Sequence, residues 1–240
     1  MAFTPALHAE WIKIRTLRSL IGALCATVAA TVVFSALAGL DTDGDDADPL
    51  HSVFFGVTFG QIAAIAFGTT AVADEFRDGA LRMSLAAVPH RGRWFAAKLT
   101  AIALPVLAVG LATGLVTLAV GSAMSGDKAN ELSRAACLRG VLGCAVYLTL
   151  MALFAAGLTA VLRSGTAALA LLLPSLLIVS FVIGDLSGTV ADFLPDRAGQ
   201  AVLHSATDGA LGPWQGLGVT ALWTATAVAA GAWRIRRRDA

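Results

Sequence analysis

The charged residues that are spaced closely enough to act together lie in residues 74–98, DEFRDGALRMSLAAVPHRGRWFAAK. The acidic and basic residues of this stretch are Asp74, Glu75, Arg77, Asp78, Arg82, Arg91, Arg93 and Lys98. Carboxylates paired with guanidinium and ammonium groups form charge-assisted hydrogen bonds, either within a chain or across an interface with a partner. The chemistry that this stretch favours is therefore ionic contact rather than catalysis.

The rest of the sequence contains no catalytic or cofactor-binding motif. Residues 121–128, GSAMSGDK, come nearest to a phosphate-binding P-loop, but Asp127 separates the glycine from the lysine and Ala129 stands where Ser or Thr is required. The HExxH, GxSxG and CxxC patterns are absent from the sequence. We therefore predict that the chain is not an enzyme by itself, with no catalytic residue, no metal ligand and no cofactor bound by this chain.

The composition is that of an integral membrane protein. Of the 240 residues, 57% are hydrophobic and only 14% are charged, whereas soluble domains are typically about 25% charged. The mean hydropathy is +0.77. A chain with so few charges cannot cover a water-facing surface, so we predict an all-α integral membrane protein in which residues 1–240 form a single transmembrane domain.

Six apolar windows are long enough to cross a bilayer as helices, for which about 20 residues suffice. None of them contains Asp, Glu, Lys or Arg, and they cover residues 20–40, 52–73, 99–124, 140–162, 164–184 and 213–233. The glycine pairs Gly56/Gly60 and Gly110/Gly114 have a spacing that permits close helix packing, although chance pairs are expected among 24 glycines. The windows predict six transmembrane helices.

The distribution of lysine and arginine predicts the orientation, because cytoplasmic loops carry an excess of both. One side holds Lys13, Arg15, Arg18, Arg77, Arg82, Arg91, Arg93, Lys98, Arg163, Arg234, Arg236, Arg237 and Arg238. The other side holds only Lys128, Arg134, Arg139 and Arg197, together with an acidic loop at residues 41–49. We predict that both termini are cytoplasmic.

Two segments on the predicted cytoplasmic side have helical patterns of their own. In residues 1–19, Leu7, Trp11 and Ile14 share one face with cations beside it, which is typical of an amphipathic helix at the membrane interface; a simple positive anchor that sets topology is the alternative. In residues 74–98, Gly79 and Pro89 bracket a short helix, followed by a basic turn at residues 90–93. Such a helix can dock on a soluble partner and move both attached spans; a solvated loop is the alternative.

The last outer connection, residues 185–212, is long and not purely polar. Two short apolar stretches, 191–195 and 200–203, flank a turn predicted at residues 195–199. Two half-helices that enter the outer leaflet fit this pattern, since irregular backbone is tolerated at membrane depth where protein buries it. A folded surface loop is the other interpretation that the pattern allows.

Three stretches resemble the membrane (permease) subunit of type-2 ABC exporters in their actinobacterial form. They are AEWIKIRTLRS at residues 9–19, EFRDGALRMSLAAVPHRGRWFAAK at 75–98 and FLPDRAGQAV at 193–202. Ala80 departs from the family, which usually has Thr at that place. With six spans and both ends inside, the resemblance covers the whole chain.

The resemblance implies three sets of site residues. The N-terminal segment corresponds to a connecting helix, with Glu10, Trp11, Lys13, Arg15 and Arg18. Residues 74–98 correspond to a cytoplasmic coupling helix between spans 2 and 3 that binds the ATPase, with Glu75, Arg77, Gly79, Arg82, Leu85, Pro89, Arg91 and Arg93. In this scheme Glu75 and Arg77 link the coupling helix to the second span by ion pairs. Residues 185–212 correspond to a re-entrant outer gate between spans 5 and 6, with Phe193, Leu194, Pro195 and Gly199.

The function implied by the resemblance is ATP-driven export across the bacterial cytoplasmic membrane. ATP and Mg are expected on a separate ABC ATPase subunit, and a second copy or close homologue of this permease is expected to complete the exporter in the lipid bilayer. The apolar spans suit a hydrophobic or amphiphilic substrate such as a drug, a peptide or a lipid-like molecule. A non-transporting sensor or immunity subunit that anchors an ATPase and a structural membrane scaffold are the alternatives, and no nucleic acid partner is expected.

Overall fold

The computed structural model describes residues 3–40, 48–77, 80–87, 90–124, 132–176, 191–205 and 211–237, and the regular structure in these ranges is helical. Several predictions lie outside the described residues: the acidic loop at 41–47, the second half of the fifth predicted span at 177–184, and Gly79 and Pro89. The side chains of Arg82 and Leu85 also lie outside them, although the backbone at both positions is helical.

Ten α-helices follow one another in the described part of the chain. They are α1 (Phe3–Thr16), α2 (Arg18–Leu40), α3 (Pro49–Phe54), α4 (Val57–Ala73), α5 (Ala80–Ala87), α6 (Arg91–Met124), α7 (Arg134–Leu162), α8 (Gly165–Pro174), α9 (Pro195–Gln200) and α10 (Pro213–Arg237). Short 3-10 helices extend α4 at Asp74–Phe76 and α9 at Ala201–Leu203.

Five helical segments are long and apolar enough to cross a membrane: Arg18–Leu40, Pro49–Phe76, Arg91–Met124, Arg134–Leu162 and Pro213–Arg237. The prediction of an all-α fold with the character of a multi-pass membrane protein is confirmed at this level. Each of the five overlaps a predicted span. The remaining predicted span, residues 164–184, is described only in its first part, where α8 is too short to cross a membrane by itself.

The predicted basic turn at residues 90–93 was wrong. The backbone N–H groups of Arg93 and Trp94 both donate to the carbonyl oxygen of His90, at 2.9 and 3.1 Å. Residues Arg91 and Arg93 therefore lie in the first turn of α6, which continues without interruption through Pro105 to Met124. A run of basic side chains does not break a helix, because long side chains hold their charges in water while the backbone stays helical.

Helix α7 is the centre of the bundle. In its most apolar window 67% of the residues are buried, against 22% in α2 and 28% in α10. Helices α4, α6 and α10 pack on α7, while α2 lies against α4 and α6. A Cβ at Gly110 would lie 2.8 Å from the Cα of Ala145, and one at Gly60 would overlap the hydroxyl of Thr31. The predicted glycine pairs thus lie at close helix crossings.

The segments that the sequence marks as basic meet at one end of the bundle, which we call the basic end. There Glu10 of α1 contacts Lys98 of α6, and Arg91 donates to the carbonyl oxygen of Ile235 at 2.9 Å, near the end of α10. Arg163, between α7 and α8, lies 5.9 Å from the ring centre of Phe76. The first and last described helices therefore reach the same end, as the positive-inside pattern predicts; that this end is cytoplasmic stays a prediction.

Candidate functional site

Four charged side chains meet at the basic end and form what we call the charge cluster: Glu10, Lys13, Glu75 and Lys98. The Oε1 atom of Glu75 accepts from the ammonium groups of Lys98 and Lys13, each at 2.7 Å. Lys98 also contacts Glu10, whose other carboxylate oxygen lies 3.2 Å from Lys13. Two carboxylates and two ammonium groups leave the cluster with no net charge.

The cluster is largely buried. The side chains of Glu10, Glu75 and Lys98 are 6%, 3% and 4% exposed, and only Lys13 reaches solvent, at 42%. Burial alone lowers the pKa of Lys13, but its hydrogen bond to Glu75 and the charges of Glu10 and Glu75 outweigh that effect and raise the pKa above its usual value of 10.5. Buried ions are tolerated only when each has a well-placed partner, so the four groups fix one another's positions.

Three separate parts of the chain supply the cluster. Helix α1 packs on α6 through Ala6, Glu10 and Ile14, which follow one another at helical spacing on its buried face. Of the face predicted from Leu7, Trp11 and Ile14, Ile14 is buried against the bundle and Trp11 is exposed; its placement at the membrane interface stays a prediction. Glu75 lies in the 3-10 turn that ends the α4 segment, and Lys98 lies about two turns into α6. The cluster therefore ties the N-terminal helix to two long helices.

Helix α5 is attached to the cluster from the side. The hydroxyl group of Ser84 donates to the Oε2 atom of Glu75 at 2.9 Å. Leu81 is buried against the bundle, whereas Met83 is 71% exposed. Helix α5 thus has one face held by the membrane helices and an apolar side chain pointing away from them.

The other residues predicted for this site take different positions. Arg77 faces Asp74 at 3.8 Å with 74% of its side chain exposed, which is a weak surface pair rather than the link that the resemblance implies. Arg91 binds the backbone of α10. Arg15, Arg18 and Arg93 are exposed. Of the predicted ionic links, only that of Glu75 is buried.

Lys98 and Ser84 were missing from the predicted site. Lys98 closes the charged stretch, seven residues after Arg91, and was counted among its charges, but no contact was predicted for it. The sequence held a second indication of the charge cluster. Glu10 and Lys13 stand one helical turn apart on α1, so both side chains can reach the same partner.

At the opposite end, helix α9 is inserted between α7 and α10 instead of lying over their ends. The hydroxyl of Thr220 donates to the carbonyl oxygen of Pro195 at 2.8 Å, and the indole of Trp223 donates to that of Phe193 at 3.0 Å. These positions on α10 lie roughly 10 to 15 Å from its start. The turn predicted at residues 195–199 was wrong: Pro195 opens a helix, as proline at a first helical position does.

A polar network inside the bundle holds α9, and we call it the Tyr147 network. The hydroxyl of Tyr147 donates to the amide oxygen of Gln61, while Gln200 donates to the same hydroxyl at 3.2 Å and accepts from Thr58 at 3.2 Å. Gly199 lies against the Tyr147 ring, where a Cβ would overlap it. The sequence analysis missed this network, although Tyr147 is the only tyrosine of the chain and Gln61 is an amide within an apolar window.

We expect Tyr147→Phe to lower the free energy of unfolding by about 1 to 3 kcal/mol, because the buried amide of Gln61 and the partly buried amide of Gln200 each lose a hydrogen-bond partner. Unfolding in mixed detergent micelles measures the change. Thr226→Val is the control, since that hydroxyl is exposed and bonds only within its own helix. Equal stability of the two variants would mean that the network contributes nothing to the fold.

The chain matches no protein-family model, and no curated protein is significantly similar to it. The resemblance to permease subunits of type-2 ABC exporters therefore stays a prediction, carried by the motifs at residues 9–19, 75–98 and 193–202.

Proposed function

We propose that this chain is the permease subunit of an ATP-driven exporter of the type-2 ABC kind, with ATP hydrolysis on a separate subunit. The observation that carries the proposal is the charge cluster. Helix α5 stands between two long helices, and the cluster joins both of them, α1 and α5 into one unit at the basic end. A force on α5 therefore reaches both α4 and α6.

Helix α5 is the proposed docking element for the ATPase. Its exposed Met83 offers an apolar contact, and the neighbouring cations, Arg82 and Arg93 among them, offer charge to an acidic groove on the partner. Leu85, Gly79 and Pro89 belong to the same element in this proposal. Closure of two ATPase subunits on ATP then pushes α5, and the charge cluster transmits the displacement because its buried ion pairs resist separation.

The outer segment is the proposed gate. Helix α9 is held among α4, α7 and α10 by the Tyr147 network and by backbone contacts of Phe193 and Pro195. A relative movement of these helices changes the contacts that hold α9. Tilting α4 at the basic end therefore displaces α9 at the opposite end. Leu194 and Gly199 complete the gate as predicted from the resemblance.

A second copy or a close homologue completes the pathway in this proposal. Helix α2 is mostly unburied, with Val33 and Leu37 both exposed, and it suits contact with lipid or with another permease subunit. The cargo is hydrophobic or amphiphilic, since the spans offer it apolar walls. The location is a bacterial cytoplasmic membrane.

We expect Met83→Glu to abolish co-purification with a co-expressed ABC ATPase that binds the unaltered chain, because it places a carboxylate in the apolar contact. Thr16→Glu is the matched control: it adds the same charge at an exposed position of α1, outside α5. Reversing the charge of Arg91, another residue predicted for the coupling site, would be a less specific test, because it would also break the hydrogen bond to the carbonyl oxygen of Ile235. Full ATPase binding by the Met83→Glu variant would remove α5 as the docking element.

Substrate-stimulated ATP turnover by the purified complex then separates an exporter from a sensor that only anchors the ATPase. An exporter accelerates turnover when cargo is present and moves that cargo into the vesicle lumen. Binding without either response would favour the sensor.

A further inference from the structure

An open cleft of about 560 Å³ lies at the end of the bundle opposite the charge cluster. It is bounded by the start of α7, by Ser205 and by Trp214 in the first turn of α10. Leu138, Leu142 and Trp214 line it with exposed apolar surface. Arg139 is the only charged residue among the described residues that line it.

The guanidinium of Arg139 is only partly satisfied. Its Nη2 atom donates to the carbonyl oxygen of His204 at 2.7 Å, but its Nε atom is buried without a hydrogen-bond partner among the described residues. No acidic side chain of that described part forms an ion pair with it. An arginine without a carboxylate partner favours an anion such as a phosphate group, to which the planar guanidinium can donate two parallel hydrogen bonds.

The nearby carboxylate of Asp48 has other partners. It accepts from the backbone N–H groups of Ser205 at 2.7 Å and Leu50 at 3.0 Å, and it lies 3.3 Å from the His204 ring. Burial raises the pKa of Asp48, but the hydrogen bonds from Ser205 and His51 outweigh this and hold the pKa below its usual value of 3.8. The carboxylate of Asp48 is therefore occupied by hydrogen bonds within the chain, so Arg139 can bind an anion from outside.

The position of the cleft suits a lipid. Arg139 and Trp214 lie within the first turns of two long apolar helices, which is the depth at which tryptophan and arginine meet lipid headgroups. We propose that the cleft binds one anionic phospholipid, with its phosphate on the guanidinium of Arg139 that lines the cleft and an acyl chain along Leu138, Leu142 and Trp214. This site is separate from the proposed ATPase contact and does not depend on it.

The test uses the full chain in vesicles of phosphatidylcholine to which either bromine-labelled phosphatidylglycerol or bromine-labelled phosphatidylcholine is added. Bromine quenches the fluorescence of Trp214, whose contribution is obtained by subtracting the signal of Trp214→Phe. Anionic lipid bound at the basic end lies at the far side of the bundle and does not contribute. We expect phosphatidylglycerol to be preferred about tenfold, because its phosphate keeps a net negative charge for Arg139, whereas the choline of phosphatidylcholine offsets that charge.

Arg139→Gln should abolish the preference, whereas Arg134→Gln, an exposed arginine on the same helix, should leave it intact. Ala135→Asp leaves Arg139 in the chain but places a carboxylate one helical turn from it, where it pairs with the guanidinium and repels a phosphate, so it should also abolish the preference. Loss in Arg139→Gln alone, with Ala135→Asp unaffected, would assign Arg139 a purely structural role and overturn the proposal. Displacement of the lipid by excess inorganic phosphate would also overturn it, in favour of a free-anion site.

Discussion

Replacing Glu75 with glutamine lowers the free energy of unfolding by about 3 to 5 kcal/mol, the usual cost of removing one partner from a buried ion pair. The amide cannot balance the charge of Lys98, which is only 4% exposed and keeps Glu10 as its sole remaining carboxylate partner in the cluster. It also removes an acceptor from Lys13 and Ser84. Unfolding of the purified chain in mixed detergent micelles measures the loss.

The neighbouring pair provides the control. Asp74→Asn removes a carboxylate one residue away, but the pair of Asp74 with Arg77 is exposed and 3.8 Å long, so we expect a change of no more than about 1 kcal/mol. The double variant Glu75→Gln/Lys98→Met should recover much of the lost stability, because no unpaired buried ammonium remains at position 98. Equal losses at positions 74 and 75 would mean that the charge cluster does not hold the basic end together.

Gly199→Ala is expected to unseat the outer segment and to cost about 1 to 3 kcal/mol, as overpacking a filled interior does. A Cβ at this position would overlap the Tyr147 ring and lie 2.9 Å from the hydroxyl of Thr220. Helix α9 must therefore move away from α7, which separates Gln200 from Tyr147. Faster labelling of Phe193→Cys by a membrane-impermeant thiol reagent would report the movement, with unfolding measured in parallel.

The same substitution elsewhere should be harmless. A methyl group at Gly218, on α10, would have no neighbouring atom within 4 Å, and alanine is the better helix former by roughly 0.5 to 1 kcal/mol. We expect Gly218→Ala to be neutral or slightly stabilising and to leave the labelling rate unchanged. If Gly199→Ala behaved in the same way, α9 would not be seated against Tyr147.

Five of the six predicted spans coincide with long apolar helices, because a bilayer imposes a length and a composition that local residues satisfy alone. The start of α6 could not be predicted, because the basic residues at 90–93 are compatible with a turn as well as with the first turn of a helix. The close helix crossings at Gly60 and Gly110 could not be predicted from the sequence alone. A glycine pair marks a crossing only if another helix faces it, and here Thr31 of α2 and Ala145 of α7 do so.

The candidate site was predictable in its location but not in its contacts. Charge density placed it at residues 74–98 and around Lys13, and Glu75 is indeed buried there. Which charges pair depends on long-range packing, so Lys98 became the partner of Glu10 across 88 residues while Arg77 stayed exposed. The Tyr147 network joins residues from α4, α7 and α9, and no local pattern connects them.

The central claim, that the charge cluster passes the motion of an ATPase to the outer segment, is tested most directly by labelling Phe193→Cys during ATP turnover. The chain, with Cys25, Cys137 and Cys144 replaced by serine, is reconstituted with the ABC ATPase that co-purifies with it. ATP should change the labelling rate several-fold when the cluster is intact. With Glu75→Gln/Lys98→Met, the ATPase should still bind but the ATP-dependent change should disappear; an undiminished change in that variant would contradict the claim.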